Sequence, residues 1–484
     1  MSLLCFLLFF PACEPDHATL LPSTTSQPAS LEGYSLVARI VHVSDTHLID
    51  PESPARFAGA QEIVHSAWRP QEAYSTQLLD GIVRTANRIH ASGRTIDFVL
   101  HTGDACDNSQ TNELGWVRDI FDGTTVNPLT GPDDRPADQR PDPLLDPYAP
   151  FTPQGLYRNG VLGNRPTIPW YIVPGNHDRF AIGVFAIVPD FLGKRTAPLP
   201  LPQRPGVLLP TVLDPLAFFA HGSVTPANPG QPCLVDLPQP VALNLERAYF
   251  DRRDYVRAMF STATEPNGHG FSGPEGESWY SVSPVPGLRL IGLDTALPAS
   301  LIEGFPYSEG SISADEVTFL RAELDAAQQR GELVVIATHH PSASLWEGYG
   351  SALIGSTFRE LVGGYPNVVL HLAGHTHTNR VKDRTSYLEI ETCSTLDLPQ
   401  EGRIVEIWRN DATGDVAIGY EMFSHLVDDL SPLGDDPLRP LREAARSIAA
   451  GDTGAQERLK QPDGTVPDPA GTPADRQGLW LGAR

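Results

Sequence analysis

The chain has 484 residues and a formal net charge of -24 at neutral pH. This charge disfavours nucleic acid as a partner, because binding a polyanion draws on clustered lysine and arginine side chains. Hydrophobic residues make up 40% of the chain, which indicates a globular protein, and 46 prolines and 42 glycines predict long irregular loops. The length allows two or three domains, or one α/β domain with large insertions.

Residues 1–36 combine an apolar run, Leu3 to Phe10, with Pro11-Ala12-Cys13 and a stretch rich in Ser, Thr and Pro. The run is too short to span a bilayer and is typical of an export signal. The small residue before Cys13 resembles a bacterial lipoprotein cleavage site, which predicts lipid attachment and a membrane tether at Cys13. We therefore expect an exported protein, periplasmic or at the cell surface. The alternative is a frayed apolar end with a chance cysteine.

The next part of the chain alternates between strand and helix patterns. A β-branched run at 35–43 predicts a strand, and apolar residues at helical spacing predict a helix over 71–90. Residues 96–100 and 168–173 predict two further buried strands. Strand, helix and strand in this order indicate parallel pairing through a right-handed crossover.

We divide the sequence after residue 36 into a catalytic domain over 37–430 and a peripheral tail at 431–484. The catalytic domain contains insertions at about 127–167 and 180–278. The tail has one expected helix, 441–450, and we expect the second insertion to fold locally as a cap. Ser313 to Glu316 forms a capping box that opens a helix ending before Gly331. Other predicted elements are a hairpin at 279–283 and 288–294, strands at 333–337 and 368–372 with a helix from about 356 between them, and three later strands forming a second sheet, at 386–390, 403–408 and 416–420.

Polar side chains with metal-binding atoms follow five of the predicted strands. They are Asp45 and His47, Asp104, Asn176 and His177, His339, and His375 and His377. A single histidine is more often a core or surface residue than a ligand, and we interpret His42, His90, His101 and His371 in that way. The five clusters share one structural position and mix oxygen with nitrogen ligands, which indicates a metal site.

In chain order, these residues and their neighbours form the motifs Asp-x-His, Gly-Asp, Gly-Asn-His-Asp, His and Gly-His-x-His. This set of motifs resembles that of the calcineurin-like metallophosphoesterase superfamily. The resemblance spans about residues 37–420. It implies an α/β fold, a two-sheet β-sandwich flanked by helices. It also implies that Asp45, His47 and His377 hold one metal ion, that Asn176, His339 and His375 hold another, and that Asp104 bridges them. His339 is preferred over His340, which is then an outer neighbour of the site.

The implied function is hydrolysis of a small phosphomonoester or phosphodiester by two divalent ions of Mn, Fe or Zn, with a metal-bridging hydroxide as nucleophile. His177 would serve the leaving oxygen as proton donor, with Asp178 behind it. Arg179 and Arg380 are candidate phosphate contacts, and their alternative role is that of ordinary solvated arginines. Asp107 stands where purple acid phosphatases carry a tyrosine, so we expect a site that is not purple.

Two other functions remain open from the sequence. A nucleotidase or cyclic-nucleotide phosphodiesterase would require an aromatic clamp, for which Trp68, Trp116, Phe305 and Tyr307 are available. A non-catalytic surface protein that binds through the same fold is the alternative of another class. Such proteins usually lose metal ligands, whereas this sequence has the full set. The sequence leaves the oligomeric state and the physiological substrate open.

Overall fold

The computed structural model describes residues 31–51, 53, 68–130, 146–156, 167–186, 188–189, 195–198, 212–213, 219–221, 238–240, 245–296, 308–346, 350–426, 435–452, 454–460 and 464–482. Residues 1–30 of the predicted signal and tether segment, including Cys13, lie outside the described residues, as do Phe305 and Tyr307. In the described part of the chain, no helix combines the length and the apolar character needed to cross a membrane.

The first half of the chain contains the following elements. They are β1 (Tyr34–Val43), α1 (Ser75–Ala91), β2 (Phe98–His101), α2 (Thr111–Asp122), β3 (Trp170–Ile172), β4 (Phe180–Ala181), β5 (Phe185–Ala186), β6 (Val188–Pro189), β7 (Arg195–Pro198), β8 (Val212–Leu213), β9 (Phe219–His221), β10 (Pro238–Pro240) and α3 (Arg252–Ala258). Strands β4 to β10 are short and pair only among themselves within the described residues. They occupy the second predicted insertion.

The later part of the chain, from Tyr280 onward, supplies all six strands of the second sheet and completes the first. Its elements are β11 (Tyr280–Val285), β12 (Leu288–Gly292), α4 (Ala314–Arg330), β13 (Leu333–Ala337), α5 (Gly355–Gly363), β14 (Val368–Ala373), β15 (Arg380–Asp383), β16 (Leu388–Glu391), β17 (Glu401–Asn410), β18 (Val416–Ser424), α6 (Arg439–Ala450), α7 (Ala455–Leu459), α8 (Pro473–Arg476) and β19 (Gln477–Gly482).

The larger strands of the described chain form two mixed sheets of six strands each. The first has the order β19-β18-β17-β1-β2-β3, and the second has the order β11-β12-β13-β14-β16-β15. Strands β1, β2 and β3 are parallel, and so are β12, β13, β14 and β16. Each parallel block therefore presents the carboxyl ends of its strands along one edge of its sheet, where open α/β sheets bind ligands.

The core lies between the two sheets and beneath the helices. Strand β13 shows why, because its side chains alternate between the two faces of the second sheet. Val335 and Ala337 pack in the cluster that also contains the first sheet, whereas Val334 and Ile336 pack with residues of α4 and α5. A strand buried on both faces accounts for the continuous apolar run of its sequence. This layered arrangement confirms the predicted two-sheet sandwich flanked by helices.

The capping signals on α4 are confirmed in the structure. The Ser313 side chain accepts a hydrogen bond from the Glu316 amide, and Gly331 ends the helix with φ at 67°. A left-handed residue at this position suits glycine, which has no Cβ to collide with the helix.

One expectation for the later part of the chain is wrong. The three strands predicted to build the second sheet divide between the sheets: β16 joins the second, whereas β17 and β18 extend the first on the β1 side. Within the predicted tail, β19 forms the outer strand of the first sheet. Apolar alternation marks a strand and its buried face, but it does not identify the neighbouring strand.

Candidate metal centre

All five predicted clusters meet at the carboxyl ends of the parallel strands. Backbone hydrogen bonds connect the loops there: the Asp45 amide donates to the Gly103 carbonyl, and the Gly374 amide donates to the His339 carbonyl. The His375 amide donates to the Asp45 carboxylate, at 2.9 and 3.1 Å from its two oxygens. The two sheets are thus joined at the point where their polar side chains converge.

The first group of converging side chains consists of Asp45, His47 and His377. Nε2 of His47 lies 3.0 Å from Nε2 of His377 and 3.8 Å from Oδ1 of Asp45. Nε2 of His377 lies 3.3 Å from the same oxygen. Ligand atoms about 2.1 Å from one cation would lie about 3 Å apart at adjacent octahedral positions, so these three atoms fit a single ion.

The second group consists of Asn176, His339 and His375. Nε2 of His339 lies 3.0 Å from Oδ1 of Asn176, and a ligand atom of His375 lies within 4.8 Å of one on His339. Asp104 stands between the groups, because its Oδ2 atom is 3.2 Å from Nε2 of His339 and 3.7 Å from Nε2 of His47.

Hydrogen bonds on the far side of three imidazoles set their tautomers. Nδ1 of His47 donates to the Asp107 carboxylate at 3.1 Å, and Nδ1 of His377 donates to Asp397 at 2.7 Å. Nδ1 of His339 donates to the Thr102 carbonyl at 2.8 Å. The Nε2 atom of each neutral ring therefore carries a lone pair that faces into the site. Two such lone pairs 3.0 Å apart repel each other, and a cation between them removes that repulsion. The donor set fits metal ions on this ground.

The electrostatics of the site attract positive charge. Burial opposes protonation of His339 and His377, but the nearby carboxylates outweigh it and raise the pKa of each to about 9. The decisive carboxylates are Asp104 and Asp45 for His339, and Asp397 and Asp45 for His377. Burial and the charge of Arg69 lower the pKa of His47 to about 4. Protons and metal ions thus compete for the same Nε2 atoms.

Backbone strain is concentrated in the same loops. Five of the predicted metal ligands have left-handed φ angles, with values of 50° at Asp45, 41° at His47, 51° at Asp104, 69° at His375 and 51° at His377. Such conformations cost of the order of 1 kcal/mol or more each for residues with a Cβ, and they cluster at functional sites. Glycine is needed at position 175 in the third motif because of a close approach: a Cβ there would lie 2.1 Å from Oδ1 of Asp104.

His177 lies at the edge of the first group and is held by Asp107. Its Nδ1 atom donates to the Asp107 carbonyl at 2.7 Å and lies 3.4 Å from the Asp107 carboxylate. Its ring meets the His47 ring edge-on, with centroids 4.6 Å apart. Burial opposes protonation, but the charges of Asp104 and Asp107 outweigh it and raise the pKa of His177. A raised pKa favours the protonated imidazole, which is the form that can donate a proton.

Asp178 does not orient His177, and the predicted pairing of these two side chains is wrong. Its carboxylate accepts hydrogen bonds from the amides of Gly175 and Cys106, both at 2.9 Å, and from the Ala105 amide at 3.3 Å. Asp178 is adjacent to His177 in the chain, but its side chain ties the third motif loop to the loop that carries Asp104. Its role is therefore structural support of the site.

The sequence reasoning missed Asp397 and Arg69 and gave Asp107 no hydrogen-bonding role. Asp107 stands three residues after Asp104, so its place in the motif loop was a usable signal. Asp397 and Arg69 stand outside every motif, and nothing in their local sequence connects them to the site.

His340 has both ring nitrogens engaged, with Thr295 Oγ1 at 2.8 Å and the Ser308 carbonyl at 3.2 Å.

The two candidate phosphate contacts differ from each other in their surroundings. The Arg179 side chain is partly buried, with Asp294 and Glu316 among the acidic groups that influence it, and this burial lowers its pKa. The Arg380 guanidinium is partly exposed on β15 and lies 3.4 Å from the Glu391 carboxylate. Neither arrangement tests binding of a phosphate, and both contacts stay predictions.

The remaining histidines are consistent with the structural role expected of them. His42 contacts the hydroxyls of Thr102 and Thr392, each at 2.8 Å, and His371 contacts that of Thr338 at 2.8 Å. His101 and His90 accept hydrogen bonds from the backbone amides of Gly103 and Ile96. All of these contacts are with protein groups.

Comparison with known proteins gave a match to one family model, described as calcineurin-like phosphoesterase, over residues 38–225. This region includes four of the predicted ligands, Asp45, His47, Asp104 and Asn176, and the match confirms the resemblance seen in the motifs. No curated protein matches the sequence of this chain.

Solved structures similar to this chain include a dimetal phosphatase from Danio rerio. It has 12% sequence identity and a TM-score of 0.41, and the alignment covers 81% of this chain and 98% of that one. A structure named PhoD has 9% identity and a TM-score of 0.32, with 86% of this chain and 77% of that chain covered.

Proposed function

We propose that this chain, whose residues 38–225 match the calcineurin-like phosphoesterase family model, hydrolyses small phosphomonoesters or phosphodiesters at a pair of divalent cations. In this proposal Asp45, His47 and His377 hold one cation, and Asn176, His339 and His375 hold the other. Asp104 contacts both. The observation that carries the proposal is the 3.0 Å separation of two Nε2 lone pairs, on His47 and His377, whose Nδ1 atoms are tied to carboxylates.

Two bound cations would supply a water of lowered pKa as nucleophile and would neutralise charge that develops on the phosphoryl oxygens. The side chains of the site bind the two cations and determine how much positive charge remains there. Asp45, Asp104 and Asn176 contribute oxygen atoms and the histidines contribute neutral nitrogen, so two divalent cations retain positive charge after the two carboxylates are counted. This local charge attracts a phosphoester even though the whole chain carries a net charge of -24.

His177 is the proposed proton donor to the leaving oxygen. It belongs to neither ligand group, and its Nδ1 atom is engaged by Asp107. Its Nε2 atom is therefore left to carry the proton that a leaving alkoxide requires. The Asp107 carboxylate, which accepts hydrogen bonds from other groups, is in the position where a tyrosinate would be needed for a purple site. We accordingly propose Mn, Fe(II) or Zn occupancy.

Of the aromatic side chains considered for a nucleotide clamp, the structure describes Trp68 and Trp116, and these two do not support one. Both are buried, and Trp116, on α2, packs in the main hydrophobic cluster. The exposed aromatic in the described chain is Trp346, at 46% exposure, six residues after His340. A small phosphoester is therefore the first proposed substrate class, and a nucleotide is the second.

The test is metal analysis of the purified protein together with a panel of phosphomonoesters and phosphodiesters. We expect two divalent ions per chain and hydrolysis of at least one ester, with activity lost on chelation and restored by Mn²⁺. Two bound ions without hydrolysis of any ester would favour a binding protein on the same fold. Absence of bound metal at saturating Mn²⁺ would contradict the proposal altogether.

A further inference from the structure

A buried arginine outside the motifs connects the supports of two predicted ligands. Arg69 is 1% exposed, and its guanidinium donates through Nη1 to the Asp107 carboxylate at 3.0 Å and through Nε to Asp397 at 3.2 Å. Asp107 accepts the Nδ1 proton of His47, and Asp397 accepts that of His377. The Arg69 guanidinium thus lies in the middle of a series of hydrogen bonds that connects the His47 imidazole to the His377 imidazole.

The arrangement has a physical reason beyond packing. Asp107 and Asp397 are both nearly inaccessible to solvent, at 0% and 7% exposure, and their charges would repel each other without a cation nearby. The fork of a guanidinium offers two N–H directions at a fixed angle, so it can fix the relative positions of two carboxylates. A lysine ammonium carries the same charge but no such fork.

The two carboxylates also have separate origins in the chain. Asp107 follows β2, whereas Asp397 precedes β17 and receives further hydrogen bonds from Gln71 at 3.0 Å and from Arg458 at 3.4 Å. Without a partner common to both carboxylates, the orientation of each imidazole would be set independently of the other. The Nε2 atoms of His47 and His377 nevertheless converge to 3.0 Å.

We propose that Arg69 is a positioning residue, whose guanidinium holds Asp107 and Asp397 so that His47 and His377 point at the same cation. The inference rests on the proposed function for the identity of that cation site. It adds a residue that acts through the carboxylates behind the ligands and touches neither the metal nor the substrate. Partners of this kind typically change metal affinity by about 10- to 100-fold when they are removed.

The experiment measures Mn²⁺ bound per chain by mass spectrometry after equilibration in chelator-buffered Mn²⁺. Wild type is expected to hold two ions, and Arg69→Met is expected to hold one as before and to bind the other about 10- to 100-fold more weakly. Arg69→Lys should be intermediate. Excess Mn²⁺ should restore much of the kcat of Arg69→Met without a large change in KM, because the substrate contacts are intact.

Arg442→Met is the matched control. Arg442 is also 1% exposed and is paired with Asp436 and Asp80, between α6 and α1 and away from the ligands. Its loss should lower the unfolding temperature but leave both Mn²⁺ ions bound with wild-type affinity. If both Met variants lose one ion equally, the effect of Arg69 is general destabilisation and the inference is overturned.

A second set of variants covers the case in which Arg69→Met does not fold. Asp397→Asn keeps the shape of the side chain, and the double variant Arg69→Lys with Asp397→Asn should weaken Mn²⁺ binding by less than the product of the two single effects. Independent effects would overturn the inference, as would wild-type affinity in the single variants. A wild-type protein that binds no Mn²⁺ would instead contradict the proposed function and the inference together.

Discussion

Nε2 of His47 lies 3.0 Å from Nε2 of His377, although 330 residues separate the two histidines in the chain. Each ring is fixed from behind by a different aspartate, Asp107 or Asp397, so neither can turn away without losing a buried hydrogen bond. The pair therefore requires positive charge between its nitrogens. A metal ion or a proton can supply it, and this competition leads to the first prediction.

We predict that the metal-free protein loses stability as the pH rises from about 6.5 to about 9. In this form the pKa values of His339 and His377 are raised from 6.5 to about 9. Groups with a raised folded-state pKa contribute stability that is complete below the unfolded pKa and is lost as the pH rises through the folded pKa. Unfolding temperatures of chelator-treated protein across this range provide the measurement.

Added Mn²⁺ should raise the unfolding temperature more at pH 9 than at pH 6.5, because protons compete for the ligand nitrogens at the lower pH. The variant His377→Ala should show a smaller pH slope in the metal-free state, since it lacks one of the two titrating groups. An unfolding temperature that stays constant or rises between pH 6.5 and 9 without metal would contradict this prediction.

We predict that Asp104→Ala disturbs both cations, whereas His375→Ala disturbs one. Oδ2 of Asp104 is close to Nε2 of His339 and to Nε2 of His47, which belong to different ligand groups. Asp104→Ala should therefore hold less than one ion per chain and be inactive, and His375→Ala should keep about one ion. Metal content measured under the same buffered Mn²⁺ decides the matter.

Asp294→Asn is a suitable control for Asp104→Ala. Asp294 is also fully buried, just beyond the end of β12, where it pairs with Ser278 and belongs to no ligand group. It should keep both ions. Full metal content in Asp104→Ala, equal to that of wild type, would eliminate its bridging role.

We predict that the effect of His177→Ala depends on the leaving group. General acid catalysis is typically worth about 10²- to 10⁴-fold, so the loss should be of that size on an alkyl phosphate. On p-nitrophenyl phosphate it should be much smaller, because the leaving oxygen is already acidic. The measurement compares kcat/KM for the two substrates, with metal content determined alongside. The same loss on both, at unchanged metal content, would mean that His177 only binds phosphate.

We predict that Gly183→Ala lowers activity by about tenfold or more through His177 and Asn176. The Gly183 carbonyl accepts a hydrogen bond from the side-chain Nδ2 of Asn176 at 2.9 Å, and a Cβ at Gly183 would lie 2.2 Å from Cδ2 and Nε2 of the His177 ring. The added methyl group must displace the imidazole from its present position. Steady-state activity and metal content of the variant are the quantities to compare.

Gly287→Ala separates this effect from backbone strain. Both glycines are left-handed, with φ at 73° for Gly183 and 80° for Gly287, but a Cβ at Gly287 would have no described atom within 4 Å. Each substitution should cost about 1 kcal/mol or more of stability. Only Gly183→Ala should impair hydrolysis, and a similar loss in Gly287→Ala would disprove the contact explanation.

Much of the fold was accessible from the sequence because its signals are local. The apolar run at 333–337 became β13 with the predicted bounds, and the capping box at Ser313 with Gly331 marked both ends of α4. The sheet to which a strand belongs is not a local property. Strands β17 and β18 have the same pattern as β16, and only the pairing of β17 with β1 and of β18 with β17 placed them in the first sheet.

By itself, the sequence determined which residues could be ligands and that they share one edge of the molecule. Strand ends and motif spacing are properties of short segments, and parallel strands bring their carboxyl ends together whatever the details of packing. Only the tertiary structure decided what stands behind those ligands. Arg69 and Asp397 are separated by 328 positions, and Asp178 binds backbone amides rather than its neighbour His177. Hydrogen bonds between distant segments depend on the final packing of buried side chains, which no local pattern encodes.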